Sequence, residues 1–116
     1  MLRGEIRLVD FDPARPGEVD KARPAVIVSN DEANATAARL GRGVITVVPL
    51  SRRIDRVYPF QVLLPKSESG LQGDSKAQAE HVRSLAVYRV KGRVGAVPHH
   101  LMEELDGALR LHLELG

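Results

Sequence analysis

Two short apolar runs, each bounded by a proline, constrain this chain more than any other feature. Pro24-Ala-Val-Ile-Val-Ser29 and Gly43-Val-Ile-Thr-Val-Val-Pro49 have strand length, are rich in β-branched side chains and show no polar alternation. Strands of this kind are buried on both faces, so the chain must supply apolar material to each side of a sheet. Pro24 fits as a first strand residue, and Pro49, which lacks a donor, is expected to stop the second run. A chain of 116 residues and 12.7 kDa has room for one such core, and residues 1–116 are read as one domain. Surface scaling leaves about 6,200 Å² exposed of the roughly 18,400 Å² of an unfolded chain, so about two thirds is buried.

The other elements are arranged around these strands. Residues 4–11 carry Ile6, Leu8 and Phe11 on an imperfect alternation and break at Asp12-Pro13, a strand entering a polar loop that runs to Arg23. Asn30 or Asp31 can cap a short alanine-rich helix that Gly41 ends in the left-handed conformation. After a charged connection from Ser51 to Pro59, Phe60-Gln-Val-Leu-Leu64 resumes strand character, and Lys66–Asp74 reads as a turn-rich loop. Ser75–Ser84 and Tyr88–Val97 are weaker strands. Residues 98–115 form an amphipathic helix, with Pro98 first and Leu101, Leu105, Ala108 and Leu109 on one stripe. The fold class is mainly β with short helices: a strongly bent, barrel-like sheet closed by a C-terminal helix.

Absences narrow the chemistry. There is no cysteine, which excludes disulfides, thiol catalysis and cysteine-ligated metals. No apolar run approaches a membrane span, and a cytoplasmic protein is expected. Aromatic residues are limited to Phe11, Tyr58, Phe60 and Tyr88, which argues against broad base-stacking platforms. Of 17 basic residues, 13 are Arg, the side chain whose planar fork pairs with phosphate at two points. Arg39, Arg42, Arg52, Arg53 and Arg56 fall in a stretch whose one acid is Asp55, whereas Glu103, Glu104, Asp106 and Glu114 cluster near the end; a basic face and an acidic terminal helix are expected. His99, His100 and His112 lack the spacing of a metal site, so no metal or other cofactor is expected.

Five ordered blocks, GEIRLVDFDPARPGE, ARPAVIVSND, VITVVPLS, VYPFQVLL and AEHVRS, resemble the MazF/PemK toxins of bacterial toxin–antitoxin systems over essentially the whole chain from residue 4. The resemblance implies an SH3-like barrel, a homodimer, a MazE-like antitoxin partner and metal-independent cleavage of single-stranded RNA. It also implies the reaction: a ribose 2′-hydroxyl attacks the adjacent phosphorus, leaving a 2′,3′-cyclic phosphate and a 5′-hydroxyl. Surplus leucines at 111, 113 and 115, beyond the helix stripe, point to self-association as well.

By the same resemblance the family's catalytic arginine falls on Arg23, immediately before Pro-Ala, and its catalytic threonine falls on Ser51, which keeps a hydroxyl and loses the methyl. Apart from the resemblance, Arg23 is a surface arginine at a strand entry and Ser51 is a turn residue bonding its own backbone. His81 stands where relatives commonly have an RNA-contacting glutamine; it is expected to contact RNA, with a proton-transfer role open and an exposed edge-strand histidine as the plain alternative. Glu18 keeps an acid of the first long loop, where the plain alternative is a solvated carboxylate. Arg52, Arg53 and Arg56 follow Ser51 and supply phosphate attraction rather than base choice. Two other functions stay in contention: a gyrase poison on the same fold, like CcdB, which the lack of tryptophan disfavours, and a catalytically silent SH3-like binding module.

Overall fold

The computed structural model describes residues 1–11 and 22–116; Glu18 and most of the first long loop lie outside the described residues. Among the described residues the strands are β1 (Glu5–Val9), β2 (Arg23–Ile27), β3 (Val44–Ser51), β4 (Gln61–Leu64), β5 (Ser75–Gln78), β6 (Arg83–Ala86) and β7 (Val90–Ala96). The α-helices are α1 (Asp31–Leu40), α2 (Lys66–Ser69) and α3 (His99–Leu113). The strands form one bent antiparallel sheet ordered β4-β5-β3-β2-β1-β7, with β6 paired to β3.

The central strands are buried on both faces, as their continuous apolar runs require. Val26 and Val48 join Ile6, Val62 and Leu64 under the Leu101, Met102 and Leu105 side of α3. Ala25, Ile27, Ile45 and Val47 face the opposite way, toward Val9, Leu85, Val87 and Ala37 of α1. The caps of α1 form as expected: Asn30 Oδ1 accepts from Ala33 N at 2.8 Å, and Gly41 takes φ 67° at the C-terminus. Arg3 ties the two sides together, donating from Nε to Val28 O at 2.8 Å and pairing through Nη2 with Asp106 on α3.

Several sequence expectations need correction. β1 ends at Val9 rather than at residue 11, and Phe11 instead packs on the α1-side core. β2 begins at Arg23, so Pro24 is its second residue; it pairs with Leu8 where the β3 ladder, which begins at Ala25, has not started. Pro49 does not stop β3. It is the last residue paired with β2, after Val47 and Val48; on the opposite edge β3 pairs first with β6 and then, through Leu50 and Ser51, with Ala77 and Lys76 of β5. A residue without a donor is tolerated where a ladder ends.

The stretch Ser75–Ser84 is not one strand. It divides into β5, a 3₁₀ turn at Ala79–His81 and β6, because β5 and β6 pair with different halves of the bent β3. A second 3₁₀ turn, Val87–Arg89, precedes β7. The Lys66–Asp74 loop contains α2, and Pro98 caps α3 instead of opening it. The stripe Leu101, Leu105 and Ala108 is buried as expected, while Leu111, Leu113 and Leu115 stand exposed.

Candidate active site

Two rows of side chains on one face of the sheet run from apolar to polar. Because side chains alternate along a strand, Ile27, Ala25 and Arg23 share a face of β2, and Ile45, Val47, Pro49 and Ser51 share a face of β3. The register Ile27↔Val47, Ala25↔Pro49 sets the rows side by side. The paired register ends there, with Arg23 two residues beyond Ala25 on β2 and Ser51 two residues beyond Pro49 on β3. The inner ends of these rows lie in the core, and Arg23 at the outer end is exposed while Ser51 is half-buried.

Ser51 is held in place by its own chain. Its Oγ accepts a hydrogen bond from Arg53 N at 3.2 Å, which is the local turn contact expected of a plain structural serine. That bond uses one lone pair and leaves the O–H proton free to donate. Lys76 lies directly opposite Ser51 in the β3–β5 ladder, is buried, and donates from Nζ to Arg56 O at 2.7 Å, pinning the segment after Ser51. This lysine carries no mark in the linear sequence; only the cross-strand register reveals it.

The basic residues after Ser51 take different directions. Arg56 Nη1 donates to the Tyr58 hydroxyl at 3.2 Å. The guanidinium of Arg52 lies against Gly73, where any Cβ would overlap it, so it rests on the loop after α2. Arg53 is exposed. Among the described residues no carboxylate comes within ion-pair distance of Arg23, Arg52, Arg53 or Arg56. Guanidinium groups with no carboxylate partner among the described residues form a field suited to an anion.

His81 is exposed on the 3₁₀ turn between β5 and β6, not on an edge strand. That turn spans the edge of β3 away from β2, so His81 and Arg23 approach the bend at Pro49 from opposite edges. Its neighbour Glu80 accepts from Gln61 Nε2 at 2.6 Å through one carboxylate oxygen. Arg83, to which the sequence assigned no role, sits with its guanidinium 5.3 Å from the Phe11 ring centroid. Glu18 lies outside the described residues.

The remaining expectations divide. Arg39 and Arg42 do not join this group: they stand at the α1 end of β3, eight strand residues from Ser51, or roughly 25 Å. The expected continuous basic face is therefore two separate groups. His99 and His100 bridge to Glu103 and to Glu68 of α2, at 3.1 and 3.0 Å. Among the described residues no three His, Asp or Glu side chains gather as metal ligands, and no helix is long and apolar enough to cross a membrane.

Residues 2–113 match the family described as PemK-like, MazF-like toxin of type II toxin–antitoxin system. The chain belongs to this family. It is a MazF homologue, 59% identical over 115 residues to Endoribonuclease MazF9 of Mycobacterium tuberculosis strain H37Rv, a match covering 99% of this chain and 98% of that protein. Among solved structures, an endoribonuclease in complex with its cognate antitoxin from a mycobacterial species superposes with a TM-score of 0.78 at 25% identity, covering 100% of this chain and 97% of that one. MazF from Deinococcus radiodurans gives a TM-score of 0.74 at 26% identity, with 99% and 97% covered. The bent sheet with its C-terminal helix is thus the barrel-like fold of MazF toxins.

Proposed function

We propose that residues 1–116 act as a toxin that cleaves single-stranded RNA at specific sequences, without a metal, by attack of a ribose 2′-hydroxyl on the adjacent phosphorus. The bond to the 5′ oxygen breaks, a 2′,3′-cyclic phosphate forms, and the proton released from the 2′-hydroxyl is balanced by one delivered to the leaving 5′ oxygen, which departs as a hydroxyl. The nucleophile belongs to the substrate, so the protein's work is to fix the phosphate and stabilise the charge of the crowded phosphorane. DNA lacks the nucleophile and is not cut.

The observation that supports this reading is the β2–β3 register, in which Arg23 and Ser51 each lie two residues past the Ala25–Pro49 pair, at the outer end of two apolar rows. Arg23 clamps the non-bridging oxygens and stabilises the transition state, a role that suits a permanently charged planar donor. Ser51 donates its hydroxyl proton to the same phosphate. Arg53 and Arg56 attract the neighbouring phosphates, and Arg52, braced on Gly73, presents its charge beside them. His81 contacts the RNA from the opposite edge of the bend. Glu18, outside the described residues, is assigned to substrate contact on the family resemblance alone.

The protein works as a homodimer whose two-fold axis joins two such sites into one groove. The exposed Leu40 and Val44, and Leu111, Leu113 and Leu115 at the end of α3, are apolar surface that association would cover. An acidic, MazE-like antitoxin segment competes with RNA for the arginines of the site, and action on cellular RNA places the protein in the cytoplasm. The relative solved with its cognate antitoxin supports that partner. A gyrase-poisoning or catalytically silent role has less support, since these relatives are named endoribonucleases or MazF.

The test is incubation with a mixed single-stranded RNA in EDTA followed by end-group analysis. We expect cleavage with 2′,3′-cyclic and 5′-hydroxyl ends; intact RNA, or cleavage that EDTA abolishes, would count against the proposal.

A further inference from the structure

Tyr58 is placed by its surroundings with more care than an exposed turn residue requires. Its N–H donates to Gln61 Oε1 at 3.1 Å, and its carbonyl accepts from Gln61 N at 2.8 Å, so both backbone groups are held by one buried residue. Gln61 is fixed in turn by Glu80, the neighbour of His81. The Phe60 ring lies parallel to Tyr58, with centroids 5.4 Å apart and an interplanar angle of 3°, and the tyrosine remains 42% exposed.

The charges around the ring define what it suits. Arg56 Nη1 donates to the phenol oxygen at 3.2 Å and its guanidinium carbon lies 5.8 Å from the ring centroid, so the cation flanks a ring that is still 42% exposed. Lys76 Nζ lies 6.0 Å from the ring centroid, and Lys76 is the residue paired with Ser51. The ring is therefore tied to the strand that carries Ser51 through one cross-strand step. An exposed aromatic ring beside cations that no carboxylate among the described residues neutralises matches a nucleotide: a flat base joined to a phosphate. Composition excluded a broad stacking platform, yet a single ring suffices for a single base.

We propose that Tyr58 stacks one nucleobase of the substrate RNA, close to the scissile phosphate, while Arg56 meets the flanking phosphate; this rests on the RNA-cleaving function proposed above. Stacking is sequence-tolerant, so Tyr58 sets position and affinity, not the choice of base. The Gln61–Glu80 network makes the ring's placement part of the same rigid unit as the His81 turn.

The experiment uses an oligoribonucleotide centred on a cleavage site mapped with the wild-type protein, together with copies lacking one base at each position in turn. Tyr58→Ala is expected to lower kcat/KM about tenfold to a hundredfold, the range for removing one base stack. Tyr58→Phe should stay within about twofold of wild type, and Tyr58→Leu, which keeps apolar bulk over Phe60 without a π-face, should behave as Tyr58→Ala. At one position, removing the base should cost the wild type a similar factor and cost Tyr58→Ala nothing further. Circular dichroism confirms that each variant is folded. If folded Tyr58→Ala cleaves as well as wild type, or every abasic position costs both proteins equally, the stacking role is overturned while RNA cleavage stands. A wild-type protein that leaves all single-stranded RNA intact would overturn both.

Discussion

At its Val44 end, β3 meets Arg42 and α1 across an open groove of about 720 Å³ lined also by Leu40 and Ala37, with Arg39 on the last turn of the helix. At its Ser51 end a half-buried hydroxyl, a buried lysine, three arginines and an exposed tyrosine are brought to one end of the strand. Both ends are basic, and the groove at the Val44 end is lined by none of the residues grouped around Ser51. Charge alone is therefore a poor guide on this molecule. What distinguishes the Ser51 end is that the β2 ladder stops at Pro49 while β3 runs on to pair with β5, so that Arg23 and Ser51 each lie two residues past the last β2–β3 pair.

The sharpest way to break this contrast is to remove one arginine from each end. Arg23→Ala should lower the single-turnover cleavage rate on the order of a hundredfold to a thousandfold, with the thermal unfolding midpoint unchanged, because the side chain is exposed. The Arg39→Ala/Arg42→Ala double variant should cleave within about twofold of wild type. Comparable losses at both ends would dissolve the distinction.

Ser51→Ala should come next, with a loss of roughly a hundredfold in the same assay, since a phosphate hydrogen bond disappears while the fold keeps its apolar row. Ser51→Thr should cleave at least as fast as wild type, because the β-branch restricts the hydroxyl's rotamers. A slow threonine variant would show that the site is shaped around serine. For His81→Gln, most of the activity should persist; a limb of the wild-type pH–rate profile in the neutral range, absent from the variant, would assign His81 a proton.

Smaller effects sharpen the electrostatic side. Neutralising Arg53 or Arg56 to Gln should weaken RNA binding and reduce the slope of log affinity against log salt by about one for each phosphate left without its arginine. The same change at Arg39 or Arg42 should leave the slope as it is. The smallest effect lies at neither end. Burial raises the Glu5 pKa, but the Leu2 N–H and the Arg7 guanidinium outweigh it and leave the carboxyl below the ordinary glutamate value. The stabilisation is present above that ordinary value and is lost as pH falls through the lowered one. Wild type should therefore be more stable than Glu5→Gln at neutral pH, and the gap should close in acid, with cleavage at neutral pH unchanged.

What the sequence made legible follows from how local each signal is. The two central strands were readable because burial on both faces leaves a continuous apolar run, and α1 was readable because Asn30 and Gly41 act within a few residues of their own helix. The stripe on α3 was readable for the same reason. Pro49 misled because a missing donor signals a strand end only when no other strand pairs beyond it, and β5, from far along the chain, does so. The 75–84 stretch misled because its 3₁₀ turn answers the bend in β3, not a local preference. The run of arginines from 39 to 56 looked continuous because β3 is short in sequence and long in space. Arg23 and Ser51 were reachable through the family resemblance alone, whereas Lys76 and the Gln61–Tyr58 turn appear only once the cross-strand register is known.

The claim that Arg23 and Ser51 serve one site is tested most directly by single-turnover cleavage with Arg23→Ala, Ser51→Ala and the double variant. Groups that act on the same phosphate are strongly non-additive. We expect the double variant to be little slower than the slower single variant. A double variant whose loss equals the product of the two single losses, or a single variant that cleaves at the wild-type rate, would contradict a shared site.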